Sequence, residues 1–111
     1  RDQTTEDALT FLSDQKEKPF FLYYATWLVH TPIQTRSKNL LTKYVQKLGV
    51  TIPDNPNQKW RGKGQTNPFY CAMVEQLDHY VGTLISSLEN IIEGFLKVAL
   101  YKSWINSYNT N

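Results

Sequence analysis

The stretch Pro19 to Pro32, Pro-Phe-Phe-Leu-Tyr-Tyr-Ala-Thr-Trp-Leu-Val-His-Thr-Pro, leaves this chain the least choice of fold. Phe20, Phe21, Leu22, Tyr23, Tyr24 and Ala25 are continuously apolar or aromatic, without polar alternation. That pattern predicts a strand covered on both faces, as in a parallel sheet flanked by helices. Pro32 disfavours helix at Thr31 and ends regular structure, so His30 is expected just past the strand's carboxyl end. In open α/β sheets ligands bind at that end.

The rest of the chain limits this reading. With 111 residues, 41% of them apolar, there is material for one small domain, and a parallel sheet needs more than the one strand the sequence offers. Twelve basic residues against 10 acidic give a net charge of +2, too balanced to argue for nucleic acid or an anionic membrane surface. Cys71 is the single cysteine, which excludes an internal disulfide and a cysteine-built zinc cluster. No apolar run approaches the roughly 20 residues of a membrane span, and the first residues lack the basic and apolar regions of a signal peptide.

In chain order, Thr4 and Asp7 fit a capping box that opens a helix with Ala8, Leu9, Phe11 and Leu12 on its buried face. The polar stretch Ser13 to Lys18 connects it to the strand. Beyond the His-Thr-Pro turn, Ser37 is placed to cap a second helix carrying Leu40, Leu41, Tyr44, Val45 and Leu48, with Gly49 as its stop. Lys38, Lys43 and Lys47 are assigned to its solvated side. Val50 to Thr66, rich in Pro, Asn, Gly and Gln, reads as a long loop, and its Lys59-Trp60-Arg61-Gly62-Lys63 piece as an exposed stretch anchored by Trp60, with contact to an anionic substrate as the alternative. Asn67-Pro68 is a helix start. Tyr70, Val74, Leu77, Val81, Leu84 and Leu88 then recur at spacings of four and three, which predicts one apolar stripe on a helix reaching about Glu89. Gly82 within that helix suggests close packing against a neighbour.

Three pieces now carry a resemblance: Lys-Pro-Phe-Phe-Leu-Tyr-Tyr-Ala (18 to 25), Val-His-Thr-Pro-Ile-Gln (29 to 34) and Gly-Gln-Thr-Asn-Pro-Phe-Tyr-Cys-Ala-Met-Val-Glu-Gln-Leu-Asp-His-Tyr-Val-Gly (64 to 82). In this order they resemble the middle of a sulfatase, of the arylsulfatase-like branch of the alkaline phosphatase superfamily. The resemblance implies an α/β fold, here a partial sulfatase-like sandwich of helix, buried strand, two helices and a helical or irregular tail, incomplete as an independent domain. It implies nucleophilic catalysis on a sulfate ester by a formylglycine made from cysteine, assisted by a bound divalent cation, usually calcium. The family's histidine in the His-x-Pro turn contacts sulfate and assists the leaving oxygen, and His30 matches it; a histidine that only fixes the turn is the plainer alternative. A periplasmic, secreted or lysosomal location is also implied.

Departures from the family's pattern matter equally. Its nucleophile lies in Cys-x-Pro-x-Arg or Cys-x-Ala-x-Arg, whereas Cys71 is followed by Ala72, Met73, Val74 and Glu75, so Cys71 reads as a packed thiol. The Asp-Asp pair and the Asp-Asn-Gly turn that supply the family's metal carboxylates are not in this sequence, so no metal ligand is assigned; Asp78 reads as structural and His79 as solvated. The family pattern is lost after Glu89, dividing the chain into residues 1–89, the middle of a catalytic domain, and residues 90–111, a divergent tail in which Ile92, Phe95, Leu96 and Ala99 keep helical spacing. The expectation is a piece of a sulfuric ester hydrolase that contributes His30 and is inactive alone, as from a truncated or frame-changed gene. Such a chain is expected to associate through unpaired strand edges or apolar helix faces. Two alternatives stay open: a non-catalytic interaction protein using the Tyr70 to Leu88 stripe, and a phosphoesterase of the same superfamily.

Overall fold

A computed structural model describes residues 2–15, 17–52 and 65–109, with side chains described as far as residue 94. Three helices follow one another: α1 (Gln3–Asp14), α2 (Lys38–Leu48) and α3 (Pro68–Asn109). The loop piece Lys59 to Lys63 lies outside the described residues.

There is no strand among the described residues, which corrects the expectation of an α/β sandwich with a buried strand. The reason is hydrogen bonding. A strand exists only when a neighbour pairs with it, and this chain supplies one candidate segment. Exposure along that segment also differs from the expected two-sided burial: Leu22, Tyr24 and Thr26 are half-buried, while Phe21, Tyr23, Ala25 and Trp27 are exposed. This period of two marks an extended backbone with one face covered. Phe21 is 88% exposed and Tyr23 82%, so the aromatic content of the run does not signify burial here.

The chain divides into two units, residues 1–26 with 80–111, and residues 27–79. In the first, Ala8 and Leu12 of α1 meet Leu84 of α3, with Leu9, Phe11, Leu22, Tyr24, Leu88 and Ile91 packed around them. Leu12 is wholly buried. Helix α1 is capped by Asp2 instead of the expected Thr4: its carboxylate accepts from the Thr5 amide at 3.1 Å and the Thr5 hydroxyl at 2.6 Å. A carboxylate at that position also meets the positive end of the helix dipole. Asp7 turns outward to Gln3 at 2.7 Å. With its proton committed to Asp2, the Thr5 hydroxyl accepts from the Tyr24 hydroxyl at 2.8 Å, tying the extended run to the start of α1.

In the second unit, Ser37 caps α2 through the Leu40 amide at 3.3 Å, and Gly49 ends it in the left-handed region at φ 63°. Asn67 caps α3, its Oδ1 accepting from Phe69 at 3.0 Å and Tyr70 at 3.2 Å, with Pro68 buried in the first turn. These three features match the sequence reading because each is fixed by neighbours along the chain.

The expected stripe of α3 is corrected in part. Leu84 of the stripe is buried and Leu88 packs beside it, but Tyr70, Val74 and Val81 are each more than a third exposed, while Ala72 and Met73, outside the stripe, are buried. Gly82 is exposed, and a Cβ placed there meets nothing within 4 Å, so no close packing explains it. The helix runs without interruption through Glu89 and Asn90 to Asn109. No helix among the described residues is long and apolar enough to cross a membrane.

Candidate functional site

His30 closes a tight turn that begins at Trp27, its amide donating to the Trp27 carbonyl at 3.1 Å. Val29, third in that turn, has φ 63°. Turns with a positive φ at this position favour glycine, and a β-branched residue there is a steric outlier. Backbone strain of this kind costs on the order of 1–3 kcal/mol and persists where the surroundings fix it. The strained residue immediately precedes the candidate histidine.

The imidazole of His30 is exposed. Its Nδ1 lies 2.7 Å from the carbonyl oxygen of Thr31, with the Thr31 hydroxyl farther away at 3.5 Å. A carbonyl oxygen carries no proton, so Nδ1 must be the protonated nitrogen and must donate. That contact fixes the tautomer: Nε2 is an acceptor in the neutral ring and a donor in the protonated one. Nε2 has no partner among the described residues. The indole of Trp27 stands edge-on to the imidazole, centroids 5.9 Å apart and planes at 84°, and is itself 79% exposed. The Thr31–Pro32 peptide bond is cis. The result is an oriented imidazole with one nitrogen available, beside an exposed indole.

A separate polar cluster joins α2 to the start of α3. Lys43 Nζ donates to both Glu75 carboxylate oxygens at 2.7 Å, and the Tyr44 hydroxyl also donates to Glu75. The Lys43 hydrogen bond, followed by that of Tyr44, lowers the Glu75 pKa. Tyr44 moves the other way, raised first by its hydrogen bond to Glu75. Lys43 and Lys47 lie 5.5 and 5.9 Å from the Tyr44 ring centroid, within cation–π range. Lys43 lies on the solvated side of α2, as the sequence predicts, and from there also reaches Glu75 of α3. Cys71 is half-buried in α3.

Sequence reasoning singled out His30 and missed its companions. Trp27 lies three residues away in a loop, where no periodicity announces a contact, and the positive φ of Val29 has no residue signature because valine is the wrong residue for it. The Lys43–Glu75 contact spans 32 positions, beyond any local pattern.

A helix leading into an extended apolar run that ends in an exposed His-x-Pro turn matches a family model described as Sulfatase over residues 1–92. The chain belongs to the sulfatase family. No curated protein and no solved structure matches it.

Proposed function

We propose that this chain contributes part of the catalytic domain of a sulfuric ester hydrolase, and that His30 meets the sulfate group of the substrate. The observation that carries the reading is the held imidazole: Nδ1 donates to the Thr31 carbonyl at 2.7 Å, leaving Nε2 for a ligand. In the protonated ring Nε2 donates a charge-assisted hydrogen bond to a sulfate oxygen. From the same position it can deliver a proton to the ester oxygen as the sulfur–oxygen bond breaks, neutralising the charge that develops there. The edge-on indole of Trp27 and the Thr31 contact restrict ring rotation, which favours that geometry over a freely turning side chain.

The family implies a formylglycine nucleophile and calcium. The described residues do not fit either group. They contain no cluster of three or more His, Cys, Asp or Glu side chains able to hold a metal ion. Cys71 lies half-buried within α3 and is followed by Ala72-Met73-Val74-Glu75 in place of the family's nucleophile motif. Without them the chain alone does not turn over sulfate esters.

The test is the coding sequence on both sides of this segment in its source. An upstream Asp-Asp pair with Cys-x-Pro-x-Arg or Cys-x-Ala-x-Arg, and Asp-Asn-Gly downstream, is the expected result. Ser or Thr in place of that Cys would turn the reading to a phosphoesterase, and flanks with none of these motifs would overturn the catalytic reading altogether.

A further inference from the structure

The turn that carries His30 also carries Trp27, and the two residues are tied through both backbone and side chain. The His30 amide donates to the Trp27 carbonyl at 3.1 Å, and the rings meet edge-on with centroids 5.9 Å apart. Both lie in the unit of residues 27–79, so their relative placement is set within one compact piece. That contact covers little of the indole. Trp27 is 79% exposed, stands outside the apolar cluster of the fold, and its indole N–H donates to no described residue. Large aromatic faces gain from being covered. The run Phe21 to Ala25 has sides for the rest of a catalytic domain to cover, but Trp27 lies past the end of that run. It belongs to the turn whose histidine stays open to substrate, and a group in ring contact with that histidine borders the same opening.

We infer that Trp27 selects the part of the substrate beyond the sulfate: its indole covers a flat face of a six-membered ring that carries the sulfate ester. This rests on the reading of His30 as the sulfate contact. A sulfate oxygen held by Nε2 leaves the carbon skeleton of the ester beside the imidazole, and the indole is the aromatic surface standing there. The indole attracts the C–H face of a pyranose or the face of an aromatic ring, whereas a short open-chain ester offers it little area. Its unpaired N–H adds a donor at the rim of that surface, suited to a hydroxyl of a sugar. Sugar and aryl esters share the flat ring, and the choice between them is read from affinity.

Titrations of the whole chain with inorganic sulfate, ethyl sulfate, phenyl sulfate and a glucose monosulfate esterified on a ring carbon test it. Each is followed through the His30 imidazole and the Trp27 indole N–H, which Trp27→Phe assigns among the three tryptophans. Inorganic sulfate and ethyl sulfate report on His30 alone. At least one ring ester should bind roughly three- to tenfold more tightly than ethyl sulfate. It should also shift the Trp27 N–H, which ethyl sulfate leaves in place, and its own ring protons should move upfield over the indole. Preference for phenyl sulfate assigns an aryl ester, and preference for the glucose ester a sugar. Trp27→Ala, at an exposed position, should bring the ring ester down to the affinity of ethyl sulfate. The ratio of the two affinities is the readout, because a His30 left less well oriented weakens both esters alike. If His30 responds to sulfate while both ring esters bind no more tightly than ethyl sulfate, or if the preference survives Trp27→Ala, the role of Trp27 is overturned and that of His30 stands. A His30 that responds to none of the four overturns both.

Discussion

Leu12→Ala tests the packing of the first unit most severely. Leu12 is 0% exposed and touches the only other buried apolar side chains described in that unit, Ala8 and Leu84. Truncating a buried leucine removes its transfer free energy and leaves a cavity that neighbours fill only in part, at a cost of about 3–5 kcal/mol. An ordinary domain of this length has about 5–15 kcal/mol of stability. A core with so few buried residues belongs at the lower end of that range, so the substitution should remove half or more of what holds the unit together. Urea unfolding followed by circular dichroism should lose most of its native baseline at 25 °C, and dispersed methyl resonances should collapse. Thr10→Ala, on the exposed side of α1, is the control, expected within about 0.5 kcal/mol of wild type. If Leu12→Ala shifts stability by less than about 1 kcal/mol, the packing of α1 against α3 described above is wrong.

Gly82→Ala places a methyl group in open space within a helix and should raise stability by about 1 kcal/mol in thermal unfolding. Val29→Gly should relieve the positive φ and stabilise the turn by up to about 1 kcal/mol after the entropy cost of glycine, while Val29→Ala, which keeps the steric penalty, should not; equal effects would refute the strain. The lowered pKa of Glu75 contributes stability that is present above its ordinary value of 4.5 and is lost as pH falls through the folded value, so Glu75→Gln should flatten the acid limb of a stability profile. Tyr44 titrates in the opposite sense: its raised pKa contributes stability below 10.0 that is lost as pH rises through the folded value, and Tyr44→Phe should flatten the alkaline limb.

What the sequence made legible was local. Ser37, Gly49 and the Asn67-Pro68 pair mark helix ends through contacts within a few residues, and the structure places them accordingly. The same logic pointed to Thr4 because the capping-box spacing fits Thr4 and Asp7, yet the cap is Asp2, whose carboxylate is reached by both the amide and the hydroxyl of Thr5. Non-local questions were decided by partners the sequence does not name. Whether Phe20 to Ala25 becomes a buried strand depends on a neighbouring strand, and without one only its Leu22 and Tyr24 face is covered. The stripe on α3 was read from spacing alone, which found Leu84, but which other positions are buried depends on what packs there, hence Met73 inside and Val74 and Val81 more exposed. For the site, the motif located His30; the tautomer set by Thr31, the indole of Trp27 and the backbone of Val29 required coordinates.

The most direct test of the account is a titration of the chain with inorganic sulfate, followed through the imidazole resonances of its two histidines. His79→Asn assigns them. The account predicts a saturable shift at the Nε2 of His30, with its Nδ1 remaining protonated on Thr31 and His79 unmoved. A His30 resonance that stays fixed as sulfate rises, or one that moves no more than that of His79, would contradict it.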